Sequence, residues 1–338
     1  MDNYTSISYT EYMKKGLKIF IIIISVLILA IFVLFLNGTS RVKFNGSNPE
    51  LSSWMRDIDD AAPLNRIAIP GSHDAGTAGI CWLGETQTYS IGQQLSSGVR
   101  YFDIRVHKNG ESLRIYHSIF DGADFHDVLE DISEFITANP SETLVLDFQH
   151  FKGDSQESVR KLLEEQLLDR GLIVANESGF SDLQYIRQLK MGDVRGKCIV
   201  FFGDGYDCSP DWIFARNNDG CTLGNLCLDS FYIGSIHKAA PDKLTAEGHP
   251  IYLGRQRERV AAGEDGLFVL QCQLTDGSLV LGPWARERAQ DKTMSAYIDD
   301  LCNSEHIDII NIIMRDFLTP DKCQQIINLN NVKGYIHG

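Results

Sequence analysis

Five stretches of this chain set ionisable residues at the ends of short apolar runs. Ile69-Pro70-Gly71-Ser72-His73-Asp74 puts an imidazole and a carboxylate just past the first run. Phe102-Asp103-Ile104-Arg105 carries an acid and a guanidinium two residues apart, hence on one face of a strand. Leu113-Arg114-Ile115-Tyr116-His117 adds a second imidazole. Leu144-Val145-Leu146-Asp147-Phe148-Gln149 and Ile312-Ile313-Met314-Arg315-Asp316 add two more carboxylates. Taken singly, each has an ordinary reading, a turn with a surface histidine or a structural ion pair. Charges inside apolar strands are costly unless they are paired or used. Together, two imidazoles flanking one guanidinium suit phosphoryl transfer. One ring takes a proton and the other gives one, while the guanidinium holds the phosphate. A carboxylate beside each ring fixes its tautomer.

Strands alternating with helices would have to position these groups. Runs at 66–69, 99–106, 113–116, 143–148, 198–202, 267–274 and 307–314 read as strands. Between them, 124–136 carries apolar residues at helical spacing behind an Asp124 cap, 156–168 is amphipathic, and 294–302 is helical. Thr319-Pro320-Asp321 opens a last helix with a cap followed by proline. This pattern predicts an α/β fold, a (β/α) TIM-like barrel, complete or distorted, over 51–338, with a doubly wound sheet as the alternative. No GxGxxG or P-loop pattern follows a strand, which weakens the doubly wound nucleotide-binding version. The polar segment 203–230 reads as an irregular excursion. His107, His126, His150, His237, His249, His306 and His337 read as surface or structural.

The composition is that of an ordinary globular protein, with 43% hydrophobic and 22% charged residues, which excludes disorder for the whole chain. Lys plus Arg number 31 against 45 Asp plus Glu, a net charge of −14, so nucleic acid is excluded as a partner. Residues 19–36 are one uncharged apolar run, about 27 Å long as a helix and close to the hydrocarbon thickness of a bilayer. Lys14, Lys15 and Lys18 before it favour an N-terminus on the cytoplasmic side. The run is too long for the apolar core of a cleaved signal, so it reads as an uncleaved signal anchor. The expected layout is a cytoplasmic tail at 1–18, a transmembrane helix at 19–36, a linker at 37–50 and one catalytic domain at 51–338, outside the cell or in a lumen, with a secreted protein as the alternative if 19–36 is cleaved. Glycosylation patterns at Asn37, Asn45 and Asn176 fit that compartment. All 8 cysteines follow the anchor, which permits disulfides. A loop staple among Cys208, Cys221 and Cys227 and a Cys302–Cys323 pair are the candidates, while Cys198 and Cys272 read as buried thiols.

The blocks Trp54-Met55, IPGSHDAGT, GVRYFDIR, IYHS, NPSETLVLDF and IMRDFLTPD, in this order and spacing, resemble the phosphatidylinositol-specific phospholipase C X-domain family in its bacterial-type, single-domain form. The resemblance covers about residues 51–325. It implies that His73 is the general base for the inositol 2-hydroxyl and Asp316 the carboxylate orienting it. Arg105 would grip the phosphate, and Asp74 would couple to the second histidine. His117 would be the acid that protonates the diacylglycerol oxygen, and Asp103 a supporting acid. The products would be diacylglycerol and a cyclic inositol phosphate, hydrolysed more slowly in a second step. Arg105 stands where calcium-dependent members carry a metal-ligand carboxylate, so no metal or other cofactor is expected.

The head-group positions depart from the bacterial pattern. Asp147, Gln149, Gln271 and Gln273 are the candidate substrate-binding residues here, so the lipid expected is phosphatidylinositol, its glycosylated form or a related phosphodiester. Ile80, Trp82 and Leu83 are candidate membrane contacts, with packing on the barrel rim as the other reading of Trp82. Two further functions compete: a metal-dependent barrel phosphodiesterase of the glycerophosphodiesterase or sphingomyelinase D type, and an inactive X-domain scaffold that only binds.

Overall fold

The computed structural model describes residues 9–37, 44, 46, 48–203, 205–216, 224–229, 249–273 and 282–336. They fall into two units, residues 1–42 and 43–338.

In the first unit a single helix, Tyr9–Asn37, covers the apolar run. Among the described residues no helix is long and apolar enough to cross a membrane. Side chains of this helix are described over 13–31 only, a stretch that includes Lys14, Lys15 and Lys18.

The described residues of the second unit hold a ten-stranded sheet. Its strands are β1 Ile69–Ser72, β2 Tyr101–Asn109, β3 Ser112–His117, β4 Phe120–Asp124, β5 Thr143–Lys152, β6 Lys197–Phe202, β7 Ile213–Ala215, β8 Gly224–Asp229, β9 Asp265–Gln271 and β10 Ile312–Arg315. The order is β7-β6-β5-β2-β1-β10-β9-β8, parallel throughout. Among the described residues β7 and β8, its two ends, are not paired, so the expected TIM-like barrel is an open, curled parallel sheet. β1, β6, β9 and β10, with the first seven residues of β5, are buried on both faces, as their continuous apolar runs require.

Helices cover the sheet's outer side. Phe125–Ala138 buries Phe125, Val128, Leu129, Ile132 and Ile136, one stripe at helical spacing, and Asp124 caps it by accepting from the His126 amide. Thr319 caps Pro320–Ile327 in the same way, with the proline at its first turn.

Several expectations are corrected. β3 and β4 are not barrel strands but an antiparallel excursion from β2, turned by the two residues Gly110-Glu111, with Gly110 at φ 62°. The 307–314 run is a short turn of helix, Ile307–Ile309, followed by a four-residue strand. The segment 203–230 holds β7 and β8, short strands hidden by their Gly, Asn and Asp neighbours. Cys302 and Cys323 do not pair; with Cys81, Cys198 and Cys272 they are free thiols. Burial in apolar surroundings pushes the Cys198, Cys272 and Cys323 thiols up to about 12, where they remain protonated. The candidate partners of Cys208, namely Cys221 and Cys227, have side chains outside the described residues. At the Asn176 pattern the side-chain amide donates to Phe180 O and to Asp182 Oδ1, so it is already engaged in the fold.

Candidate active site

Strand register assembles the site. β1 pairs with β10 so that Ser72 lies beside Arg315, and with β2 so that Ser72 lies beside Phe102. One residue further on, His73 comes level with Asp316 on one side and Asp103 on the other. Asp147 lies beside Asp103 on β5. Four adjacent strands therefore present Asp147, Asp103, His73 and Asp316 in one row at their C-terminal ends, the end at which parallel α/β barrels carry function.

His73 Nδ1 lies 2.7 Å from Asp316 Oδ1, which fixes the ring and turns Nε2 toward Asp74 Oδ2, 3.3 Å away. His117 reaches the same Asp74 oxygen with its own Nε2, at 3.4 Å. The His117 Nδ1–H donates to Gly84 O at 2.6 Å, which sets its tautomer. Arg105 Nε sits 2.7 Å from the other Asp74 oxygen, and Arg105 Nη2 sits 3.5 Å from Asp103 Oδ2. Asp74 is thus the hub that gathers both imidazoles and the guanidinium, and it is almost fully buried.

The backbone is strained at these places. Asp74, Ser118 and Phe317 are three of the four described non-glycine residues in the left-handed region, at φ 43°, 59° and 46°. They directly follow His73, His117 and Asp316. Each costs on the order of 1–3 kcal/mol, and such strain concentrates at functional sites.

Charges follow the geometry. Burial opposes a charged His73 ring, but Asp74, Asp316 and Asp103 outweigh it and push the ring up to about 9. Burial alone would raise Asp74; Arg105, His73 and His117 hold it well below the usual carboxylate range. Burial raises Asp316 against the pull of His73. His73, Asp74 and Asp103 also bring three potential metal-ligand atoms within 4.8 Å of one another. The Arg105 guanidinium already lies against both carboxylates and supplies positive charge there, so the set fits a cation poorly.

The head-group candidates divide. Asp147 Oδ2 accepts from Tyr101 Oη at 2.6 Å and from Gln149 Nε2 at 3.3 Å, with Arg216 Nε at 3.4 Å. Burial, opposed by Arg216, raises Asp147 to about 6. Gln271, the last residue of β9, accepts from Gln273 Nε2 at 2.6 Å. Arg216 is missed by the sequence reading because it lies in the supposed excursion. Yet Trp212-Ile213-Phe214-Ala215-Arg216 is the same signal as the others, an apolar run ending in a charge. His150 is missed too: it sits beside Arg105 in the β2–β5 register, and burial and Arg105 lower its pKa.

The membrane-contact candidates differ in burial. Ile80 is buried, packed over Gly84 and Gly122, while Trp82, set against Gly282, and Leu83 are half-buried. Beside the site the exposed large apolar residue is Ile119, at 81%, in the β3–β4 turn two residues after His117.

The cluster gathers two imidazoles, one guanidinium and their carboxylates at the strand ends of an open parallel sheet. Residues 61–202 match the family model "Phosphatidylinositol-specific phospholipase C, X domain". It is 35% identical over 151 residues to a 1-phosphatidylinositol phosphodiesterase of Listeria monocytogenes, covering 41% of this chain and 45% of that protein. A Staphylococcus aureus 1-phosphatidylinositol phosphodiesterase is 32% identical over 165 residues, covering 44% of this chain and 50% of that one. The chain thus spans about half the length of the curated relatives it matches. The solved Listeria monocytogenes phosphatidylinositol-specific phospholipase C shares the fold, with a TM-score of 0.61 at 22% identity over 83% of this chain and 98% of that one.

Proposed function

We propose that this chain cleaves phosphatidylinositol, or a related inositol lipid, by metal-independent acid–base catalysis. The observation that carries this is the convergence of His73 Nε2 and His117 Nε2 on one oxygen of Asp74, with Arg105 on the other. A phosphodiester lying against Arg105 meets one imidazole on each side. His73 Nε2 takes the proton of the inositol 2-hydroxyl as that oxygen bonds to phosphorus. The phosphorus–glycerol oxygen bond breaks, and His117 Nε2 gives its proton to the leaving oxygen. Diacylglycerol and the cyclic phosphate result. In the second step the roles reverse: His117 accepts a proton from water as the water oxygen bonds to phosphorus, the phosphorus–2-oxygen bond breaks, and His73 returns a proton to the 2-oxygen, leaving the open inositol phosphate. Asp316 holds His73 through Nδ1, and Gly84 O holds His117.

Asp147, Gln149 and Arg216 read the inositol hydroxyls, helped by Gln271 and Gln273. The support is the buried Asp147 Oδ1 and Gln273 Oε1, which lack a hydrogen-bond partner among the described residues, with Arg216 beside Asp147. Residues 19–36 anchor the chain in a bilayer, with the tail 1–18 cytoplasmic and the catalytic unit outside or lumenal; the apolar run and its preceding lysines support this. Exposed Ile119 dips into the leaflet beside the site.

The test is turnover of phosphatidylinositol in mixed micelles by the full chain, with and without EDTA, followed by phosphorus NMR. A cyclic phosphate signal that EDTA leaves unchanged is expected. Its absence sinks the reaction, and its loss in EDTA sinks the metal-free mechanism in favour of a metal-dependent phosphodiesterase.

A further inference from the structure

Gln87 is fully buried and touches none of the groups that meet substrate in the mechanism above. Its side-chain Nε2 donates to His73 O at 3.1 Å and to Arg315 O at 3.0 Å, and its Oε1 accepts from the Leu318 amide at 3.0 Å. One amide therefore joins the end of β1, which carries His73, to the end of β10, which carries Asp316. Its orientation is fixed by chemistry: two carbonyls require the NH2 end, and one N–H requires the oxygen. Neighbouring Thr86 extends the clamp to both strained turns. Its carbonyl accepts from the Phe317 amide at 2.7 Å, and its hydroxyl donates to Asp74 O at 3.0 Å. The left-handed conformations of Asp74 and Phe317 persist only where the surroundings over-determine them.

We propose that Gln87 is a positioning residue, whose amide sets the His73–Asp316 pair by fixing the two strand ends against each other. The proposal rests on the reaction assigned above for its kinetic consequence, but not for its geometry. A glutamate in this place fills the same volume yet sets an oxygen against two carbonyls; a methionine fills most of it and makes none of the bonds.

The fold supplies its own control. Asn330 is also fully buried and makes the same three kinds of bond at the opposite end of β1. Its Nδ2 donates to Ala68 O and Ile327 O, and its Oδ1 accepts from the Ala68 amide. A purely structural role predicts the same behaviour for both amides.

The experiment compares Gln87→Met, Gln87→Glu and Asn330→Ala in the full chain in detergent micelles. Thermal stability, the NMR titration of His73 and the kinetics on phosphatidylinositol are read for each. Asp74, Asp316 and Asp103 face the His73 ring, and only the Asp316 contact should loosen. All three variants should lose stability. Only the Gln87 variants should move the His73 titration down, by about one pH unit. They should also lower kcat about 100-fold with KM within about threefold, the size of effect that a misplacement of about 1 Å produces. Should Gln87→Met not fold, the isosteric Gln87→Glu decides alone. Gln87 variants that destabilise like Asn330→Ala but leave the His73 titration and kcat unchanged overturn the proposal. Failure of the unaltered chain to turn over the lipid refutes the reaction instead, and the His73 titration still decides the positioning.

Discussion

Two buried ionic clusters lie at opposite ends of β2 and β5, and they are built differently. At the N-terminal end, Arg100 and Glu142 are fully buried and paired at 2.8 Å. The Arg100 guanidinium also donates to the carbonyls of Leu51, Ser52, Leu95 and Val99, so each of its N–H groups is used. At the C-terminal end the ionised groups pair with one another, Arg105 Nε with Asp74 at 2.7 Å and Arg216 Nε with Asp147 at 3.4 Å, but Asp103 Oδ1 and Asp147 Oδ1 are buried without a hydrogen-bond partner among the described residues. Native proteins leave few such groups unsatisfied, and a half-satisfied polar network costs stability. The closed cluster holds the fold; the open one keeps its bonding capacity for a ligand.

Substitutions should separate the two ends. The largest expected effect is catalytic: His73→Ala or His117→Ala should lower kcat by about 10⁴-fold or more, with His117→Ala leaving thermal stability nearly intact and His73→Ala losing the stability of its buried pairings with Asp74 and Asp316. A comparable melting loss with little rate loss would make the site structural. Arg105→Met should cost about 10²–10³ in kcat, whereas Arg105→Lys should recover only part of it, because an ammonium cannot copy the guanidinium fork. At the other end, Arg100→Met strands a buried carboxylate and should cost about 3–5 kcal/mol of stability with kcat per folded molecule unchanged.

The pH dependence probes the open cluster. His73 is raised above its unfolded value, to about 9, by Asp74, Asp316 and Asp103 against burial. Its contribution to stability is therefore fully present below about pH 6.5 and is lost as pH rises through about 9. Catalysis runs the opposite way, since a base must first be free of its proton. kcat/KM should climb as pH approaches 9, and Asp316→Asn should move that limb to lower pH; a limb that stays in place would show that another group is the base. Smaller effects belong to the rim. Arg216→Leu should raise KM about tenfold with kcat nearly kept. Ile119→Ser should weaken turnover several-fold on vesicles and leave a soluble substrate unaffected; equal losses on both would remove Ile119 from the membrane contact.

Much of the site was legible because strand ends announce themselves locally. An apolar run closed by His73-Asp74, by Asp103 and Arg105, or by Asp316 needs no partner strand to be noticed, and the family blocks carry the same residues. The helix stripe of 125–136 and the caps at Asp124 and Thr319 were legible for the same reason: each is a pattern of neighbours in sequence. Arg216 was hidden because a three-residue strand among glycines and asparagines gives too little periodicity. Ile80 was misread because its burial depends on Gly84 and Gly122, glycines that leave room for its side chain.

The amino-acid sequence by itself determined the chemical inventory, two imidazoles, one guanidinium and their carboxylates, and the local elements that carry them. Tertiary structure alone decided their level and company. Register between parallel strands brings His73, Asp103, Asp147 and Asp316 into one row, and a two-residue turn folds His117 back over Asp74. The reason is physical: alternation within one strand is fixed by the pleat, but the alignment of separate strands is settled only when the whole sheet buries its apolar faces together.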